Sequence, residues 1–420
     1  MVKLLLISDD FTGALDTGIQ FAEYSKKTKI LTTSEMEDLR LEQTDAEVLI
    51  VNTETRHLAP EEAYDIIYRL IRKAIDAKVQ YIYKKTDSGL RGNVGSELAA
   101  ALMASKEAFL PFIPAHPGMN RITVHGIHYV DGVPIHKSAF GADPFEPVTS
   151  PYVRDLFAGI PVDTVLLERT REYNTDFSGP VIGIFDAKDS NDFEHITKHL
   201  KKNNRLKVVA GCAGFAVAMQ KLIGLHKMDI TLPRLQKPLI VICGSLNPIT
   251  KEQIEYGEKL GYTRLVLTPE QLLKERYFYS EEGERWYEEL EPLLLTKQVV
   301  MIDSGISEPE LMSEVMKEKG LDRNEARVII SRSLGSMLTR MYEKKLGFDK
   351  TVMIIGGDTL WGFVEQVNCT EITLVSEIVS GTVLSSVNID NTLAWIISKS
   401  GGFGNKELIE EVYHRISQDD

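Results

Sequence analysis

Short apolar runs alternate with amphipathic helical patterns along this chain, break off once, and then resume. That rhythm constrains the fold more than any other feature. Up to about residue 225 the runs predict strands near 3–7, 47–52, 80–84, 109–113, 164–168, 181–185 and 207–210, with helices such as 60–77 between several of them. Alternation of this kind builds a mainly parallel sheet with helices packed on its faces. The break is HKMDITLPRLQKP at 226–238, with two prolines, mixed charge and no period, followed at once by LIVIC. The pattern then restarts, with strands expected near 239–243, 264–267, 298–302, 327–330, 351–355, 372–375 and 393–398. The expected architecture is therefore α/β, with two domains, 1–228 and 229–420, each a mainly parallel sheet flanked by helices, and an active-site cleft between them. In ITVHGIHYVDGVPIHK two β-like runs flank Asp131 and Gly132, a pair suited to a tight hairpin, so an arm projecting from the first domain is expected.

A length of 420 residues suits two domains, each able to bury its own core. The 43% hydrophobic and 26% charged composition is that of a soluble globular protein, and no run reaches the roughly 18 to 20 apolar residues of a membrane helix. MVKLLLISDD lacks the pattern of a signal peptide and reads as a first strand, so a cytoplasmic protein is expected. The net charge of −13 repels nucleic acid and anionic membranes, and neither is expected as a partner. A small anion would have to be drawn by local cations. Cys212, Cys243 and Cys369 are far apart in apolar contexts, which indicates buried residues and neither disulfides nor zinc. A homodimer is compatible with the sequence.

The densest chemistry lies in YKKTDSGLRGN, where Lys84, Lys85, Asp87, Ser88 and Arg91 crowd a strand end. LLLISDDFTGALDTG repeats the arrangement, with Asp9 and Asp10 followed by Thr12 and Gly13 at a helix start. The acids suit the handling of hydroxyls. The cations suit a carboxylate, which a planar guanidinium grips by two parallel hydrogen bonds, making Arg56 and Arg91 the better anchors. Strand alternation sends Lys84 and Lys85 to opposite faces, and Lys85, in phase with Asp87, is the one expected at the site.

The second half holds three strands that run into small-residue turns before helices: VICGSLNPIT, VMIIGGDTLWG and WIISKSGGFGN. Such turns let backbone amides approach phosphate oxygens at helix N-termini. Together they point to a nucleotide pocket, yet neither G-x-x-x-x-G-K-[ST] nor G-x-G-x-x-G occurs, so a Walker ATPase and a standard Rossmann dehydrogenase are disfavoured. Lys399 is as readily a phosphate ligand as a solvated lysine, and Asp358 is expected to cap a helix. The adjacent acids of DDFT fail the D-x-D-x-T spacing of haloacid-dehalogenase phosphatases. A Schiff-base aldolase using Lys84 or Lys85 would leave the three turns without a purpose. His116, His125, His128 and His136 lack metal-ligand spacing.

DDFTGALD at 9–16, NTETR at 52–56, KKTDSGLRGN at 84–93, IPAHPGMNRITVHG at 113–126, GSLNP at 244–248, GGDT at 356–359 and KSGGFG at 399–404 stand in the order found in the four-carbon acid sugar kinase family. The chain resembles that family over nearly its whole length. The resemblance implies a sugar-acid-binding first domain, an ATP-binding second domain, and nucleotide contacts at Ser245, Gly356, Gly357, Asp358, Thr359 and Gly402. Gly89 stands where the family usually has threonine, and Asn120, Arg121 and Ile122 where a Gly-Arg-Thr run is more usual. NTETR and AFGADPFEPVTS look most like the D-threonate branch, with D-erythronate next.

The expected reaction is ATP-dependent phosphorylation of the terminal hydroxyl of a four-carbon sugar acid, with Mg²⁺ bridging the phosphates. Asp10 and Asp87 are the candidate catalytic carboxylates, and Asp9, Arg56, Lys85, Ser88 and Arg91 are the expected substrate ligands. No metal-ligating residues are assigned. The alternatives are a kinase for another small hydroxy or oxo acid such as 3-oxo-tetronate, and a non-catalytic sensor of nucleotide and sugar acid.

Overall fold

Strands Leu4–Ser8, Val48–Asn52 and Phe109–Ile113 are buried at every position. Runs of Leu, Ile, Val and Phe without polar alternation demand this, because such strands are stable only where helices cover both faces of a parallel sheet. The computed structural model describes residues 2–417 except 26, 33–38, 40, 144, 145, 170–172, 230, 231, 275 and 306–308. It divides into two units, Met1–Asp229 and Ile230–Asp420.

The first unit carries strands β1 (Leu4–Ser8), β2 (Thr28–Leu31), β3 (Val48–Asn52), β4 (Tyr81–Lys85), β5 (Phe109–Ile113), β6 (Arg121–Val124), β7 (Ile127–Val130), β8 (Val133–Pro134), β9 (Asp163–Leu167), β10 (Val181–Phe185) and β11 (Val208–Gly211). Its helices are α1 (Phe11–Ala22), α2 (Pro60–Asp76), α3 (Val94–Ser105), α4 (Ser190–Lys202) and α5 (Ala213–Leu222). Within this unit the sheet runs β2, β3, β1, β4, β11, β5, β10, β9, and every neighbouring pair is parallel. Helix α2 shows why a helix forms: Pro60 opens it, Glu61 and Glu62 sit in its first turn, and Ala63, Ile67, Leu70, Ile71 and Ala74 make one buried stripe. All seven strands expected here form. β2 was not expected, because its four residues, TKIL, alternate between buried and half-buried and hold only two apolar side chains.

The hairpin region is three-stranded. Asp131 and Gly132 turn β7 into β8 as expected, and His125 and Gly126 make a second turn between β6 and β7, all four with positive φ. The arm does not stand free of the domain. Thr123 exchanges backbone hydrogen bonds of 2.9 Å with Ala187, and Thr123 and His128 are fully buried.

The second unit carries β12 (Leu239–Cys243), β13 (Thr263–Val266), β14 (Val299–Asp303), β15 (Thr351–Ile355), β16 (Glu371–Glu377), β17 (Thr382–Ile389) and β18 (Thr392–Lys399). Its helices are α6 (Pro248–Lys259), α7 (Pro269–Leu273), α8 (Glu281–Thr296), α9 (Pro309–Lys319), α10 (Arg323–Glu343), α11 (Gly357–Gln366) and α12 (Leu408–Ser417). The order is β13, β14, β12, β15, β18, β17, β16, parallel as far as β18 and then an antiparallel meander. The strand expected at 327–330 is instead helical, inside α10. Asp322 and Glu325 exchange side-chain to backbone bonds of 2.9 Å that start this helix, and the buried Leu334, Met337, Leu338 and Met341 carry its core face, leaving Val328 44% exposed. Strand β17 was not expected, since Ser385, Ser386 and Asn388 interrupt its apolar pattern.

Chain reversal places a switch point in each unit. The connection leaving β1 runs to one side of its sheet, and that leaving its neighbour β4 runs to the other; β12 and β15 repeat this relation. Ligands in open α/β sheets collect at such points, beyond the carboxyl ends of the strands.

One buried ion pair ties β4 to α3. Lys84 Nζ lies 2.9 Å from Glu97 Oε2, with both side chains almost wholly buried, and the Thr55 hydroxyl donates to the other oxygen. Burial pushes the Glu97 carboxyl up, against the pull of Lys84. Glu97→Ala should therefore lower stability in urea unfolding by about 3–5 kcal/mol, with Lys84→Met/Glu97→Leu recovering most of it. A loss under about 1 kcal/mol in the single variant would contradict this.

Candidate functional site

The carboxyl ends of β3, β1 and β4 lie level, because Ser8 pairs with Asn52 on one side and Lys85 on the other. Residues just beyond those ends must converge. Arg56 Nε donates to Asp9 Oδ2 at 2.8 Å, and its Nη2 lies 2.7 Å from Asp10 Oδ1. Lys85 Nζ sits 3.1 Å from the same Asp10 oxygen and 3.5 Å from Asp9 Oδ1. Asp10 Oδ1 also accepts the Gly13 amide at 3.1 Å, capping α1. Burial pushes the Asp9 carboxyl up, yet Arg56 and the two lysines pull harder and hold it well below the usual carboxylate range. Lys85 is likewise held above its ordinary value despite burial, by Asp10 and Asp9. The alternation expected of the lysines is observed: Lys84 turns to Glu97, Lys85 to the aspartates.

Asp87 sits beside this cluster with both oxygens engaged. Arg91 donates from Nε to Oδ2 at 2.7 Å and from Nη2 to Oδ1 at 3.3 Å, while its Nη1 reaches Asp143 at 3.1 Å. Burial raises the Asp87 carboxyl, but Arg56 and Arg91 outweigh it and leave it well below the usual range. The Ser88 carbonyl accepts from His128 Nε2 at 3.1 Å, and Arg121 donates to the Ser88 hydroxyl. Burial lowers His128 to about 4, so at neutral pH its ring is uncharged, with Nε2 donating to Ser88 and Nδ1 facing the Thr123 hydroxyl at 3.0 Å. The guanidiniums of Arg56 and Arg91, expected to grip a substrate carboxylate, are thus already ion-paired within the protein.

In the second unit the turns after β12, β15 and β18 meet. Thr250 donates to the Gly401 carbonyl at 2.7 Å, and a Cβ on Gly401 would lie 2.1 Å from Ser245 Oγ, which places the 399–402 turn against Ser245. Gly356 is the N-cap of α11, with φ of 117° and no capping side chain. The first amides of the helix therefore have no side-chain acceptor from the cap. Asp358 does not cap, contrary to expectation; it sits in the first turn with a largely exposed side chain 3.5 Å from Arg327 Nη1. Gly402 is exposed at the tip of its turn. Lys399 is 3% exposed, so it is no solvated lysine. Its Nζ reaches the Gly401 carbonyl at 3.1 Å and the Thr250 hydroxyl at 3.3 Å, and burial lowers it to about 8. Beside Ser245 opens a cavity of about 440 Å³ whose walls include Leu246, Lys251, Arg264 and Asp303. All three cysteines are buried thiols outside any disulfide. Among the described residues no group of three or more His, Cys, Asp or Glu is placed to hold a metal ion, and no helix is long and apolar enough to cross a membrane.

Residues 4–219 match the model of a sugar-binding N-terminal domain, and residues 240–409 that of a nucleotide-binding C-terminal domain. The chain belongs to the four-carbon acid sugar kinase family. It is 25% identical to a D-threonate kinase of Salmonella typhimurium over 99% of both chains, and 28% identical to a D-erythronate kinase of Heliobacterium modesticaldum over 68% of this chain and 67% of the other. A 3-oxo-tetronate kinase of Haemophilus influenzae is 22% identical over 96% of this chain and 98% of its own. A solved structure from Salmonella typhimurium, described as a putative tRNA synthase, superposes with a TM-score of 0.78 over the whole of both chains at 20% identity, and so speaks for the fold alone.

The two departures from the sugar kinase pattern have structural counterparts. A Cβ at Gly89 would lie 2.3 Å from the Phe140 ring, which fills the space a side chain at 89 would occupy. Asn120 takes a left-handed φ of 52°, which asparagine tolerates better than most residues in place of glycine. Arg121, Phe140, His128 and Thr250 were not foreseen as site residues, because their neighbours in space are distant in sequence.

A buried lysine with a value near 8 should make nucleotide binding pH-dependent. Phosphate favours the charged form, so affinity for ADP should hold below pH 8 and weaken by up to about tenfold per pH unit above it. Lys399→Met should bind more weakly at pH 7 and lose that dependence in calorimetric titration. An unchanged pH profile in the variant would remove Lys399 from the site.

Proposed function

We propose that this chain transfers the γ-phosphoryl group of MgATP to the terminal C4 hydroxyl of a four-carbon sugar acid, D-threonate first and D-erythronate next. The observation that carries the reading is the charge cluster at the β1/β4 switch point, where Asp9, Asp10, Arg56 and Lys85 balance one another yet leave Asp9 Oδ1 and Asp10 Oδ2 without a hydrogen bond among the described residues. Asp10 Oδ1 takes the Gly13 amide and both cations, whereas Oδ2 has no protein partner among the described residues. That oxygen is the one to orient an acceptor hydroxyl. Asp87, both of whose oxygens Arg91 holds, is a poor proton acceptor and serves instead to fix the 87–91 loop. Phosphoryl transfer asks chiefly for alignment and charge neutralisation, so a fixed carboxylate and a cationic surround are sufficient protein chemistry on the acceptor side.

On the donor side, the uncapped start of α11 and the buried Lys399 suit phosphate oxygens, and the cavity beside Ser245 is of a size for a nucleoside. Mg²⁺ would arrive on the triphosphate as part of the substrate, since it keeps several waters and is commonly bound through substrate phosphates.

An ADP-release assay against D-threonate, D-erythronate, L-threonate, 3-oxo-tetronate and glycerate tests the reading, with the product's phosphate position read by phosphorus NMR. Turnover should be greatest with a D-tetronate, and Asp10→Asn should lower kcat by about 10²- to 10⁴-fold with a smaller change in KM. Tight binding of ADP and acid without turnover would point to a sensor. An Asp10→Asn enzyme as fast as wild type would remove the proposed orienting role.

A further inference from the structure

Three guanidiniums lie on or beside the loop 87–91, and two of them are ion-paired: Arg56 with Asp9 and Asp10, Arg91 with Asp87 and Asp143. The third, Arg121, has no carboxylate within ion-pairing distance among the described residues, and its buried Nε finds no hydrogen-bond partner. Asp87 acts on it only from longer range. Resting on the kinase reading above, we propose that Arg121 is the residue that receives the carboxylate of the sugar acid.

Several features hold this side chain in a fixed pose. Its backbone is pinned to His116 in both directions, by bonds of 2.7 and 3.2 Å. One of its nitrogens donates to the Ser88 hydroxyl, on the loop that also carries Asp87. Phe140, seated where Gly89 has no side chain, places its ring centroid 5.0 Å from the Arg121 guanidinium carbon and 5.2 Å from that of Arg91. Stacking on an aromatic face fixes the plane of a guanidinium while leaving its edge donors for a ligand. The neutral His128, bonded to Thr123 and to the Ser88 carbonyl, ties the strand after Arg121 to the same loop. Burial, against the pull of Asp87, lowers Arg121 from its ordinary value, the sign of a cation that lacks a close counter-ion. A carboxylate at the edge of this guanidinium would supply the missing partner by two charge-assisted hydrogen bonds. The acceptor hydroxyl, at the other end of a short chain, would then be left to Asp10.

The test compares D-threonate with its uncharged analogue D-threonamide in wild type, Arg121→Met and Arg121→Lys. Loss of a charge-assisted pair should raise KM for threonate about 10- to 100-fold in Arg121→Met, leave KM for MgATP and the melting temperature unchanged, and erase the preference for acid over amide. Arg121→Lys, which keeps the charge and the bulk, should raise the threonate KM by about three- to tenfold, because a lysine lacks the planar fork. Phe140→Leu should raise it less, with threonamide unaffected. An unchanged threonate KM in Arg121→Met or Arg121→Lys overturns the proposal. So does a fall in kcat that is equal for acid and amide with KM intact, which would place Arg121 on the phosphoryl group. Should wild type phosphorylate none of the acids, the kinase reading itself fails and takes this inference with it.

Discussion

The structure of the first unit depends on a set of charges that compensate one another only when three chain segments are in register. Asp9 and Asp10 follow β1, Arg56 follows β3, and Lys85 ends β4, so no two of the strands supply the whole cluster. An ion taken out of water without a partner costs several kcal/mol, and this cost enforces the alignment of Ser8 with Asn52 and Lys85. The chemistry and the fold therefore share one constraint. A slip of the sheet by one residue would strand four charges as well as expose apolar side chains.

What remains uncompensated is as informative as what is paired. Lys399 in the second unit and Arg121 in the first are cations withdrawn from water that meet neutral oxygens but no carboxylate among the described residues. Proteins seldom keep such groups for stability alone, because a ligand-free pocket then bears a desolvation penalty. An anionic ligand relieves it. A phosphate at Lys399 and a carboxylate at Arg121 fit the two kinds of anion that a sugar acid kinase handles.

Much of this architecture was legible in the sequence, since buried parallel strands are short apolar runs and the switch-point loops after them carry polar residues that the core could not hold. Lys84 and Lys85 could be told apart by strand alternation alone. The strand expected at 327–330 shows the limit of that signal: Val328, Ile329 and Ile330 look β-like locally, and only the Asp322–Glu325 pair and the apolar spacing farther along reveal a helix. The ion pairing of Arg56 and Arg91 illustrates a second limit. A sequence shows that cations and acids are close along the chain, but not which of them are spent on each other. Arg121 stayed hidden because its significance comes from Ser88 and Phe140, each remote in sequence, and from the absence of a carboxylate that no local pattern records. Asp358 looked like a cap, and Gly356, two residues before it, took that position.

Backbone hydrogen exchange with D-threonate alone, and separately with ADP, tests the division of labour most directly. The account predicts that threonate slows exchange at amides of 10–13, 87–91 and 121–128 without slowing those of 244–247, 356–360 and 399–403, and that ADP does the reverse. Protection by threonate confined to the second set, with the loop after β1 and the 87–91 loop untouched, would contradict it.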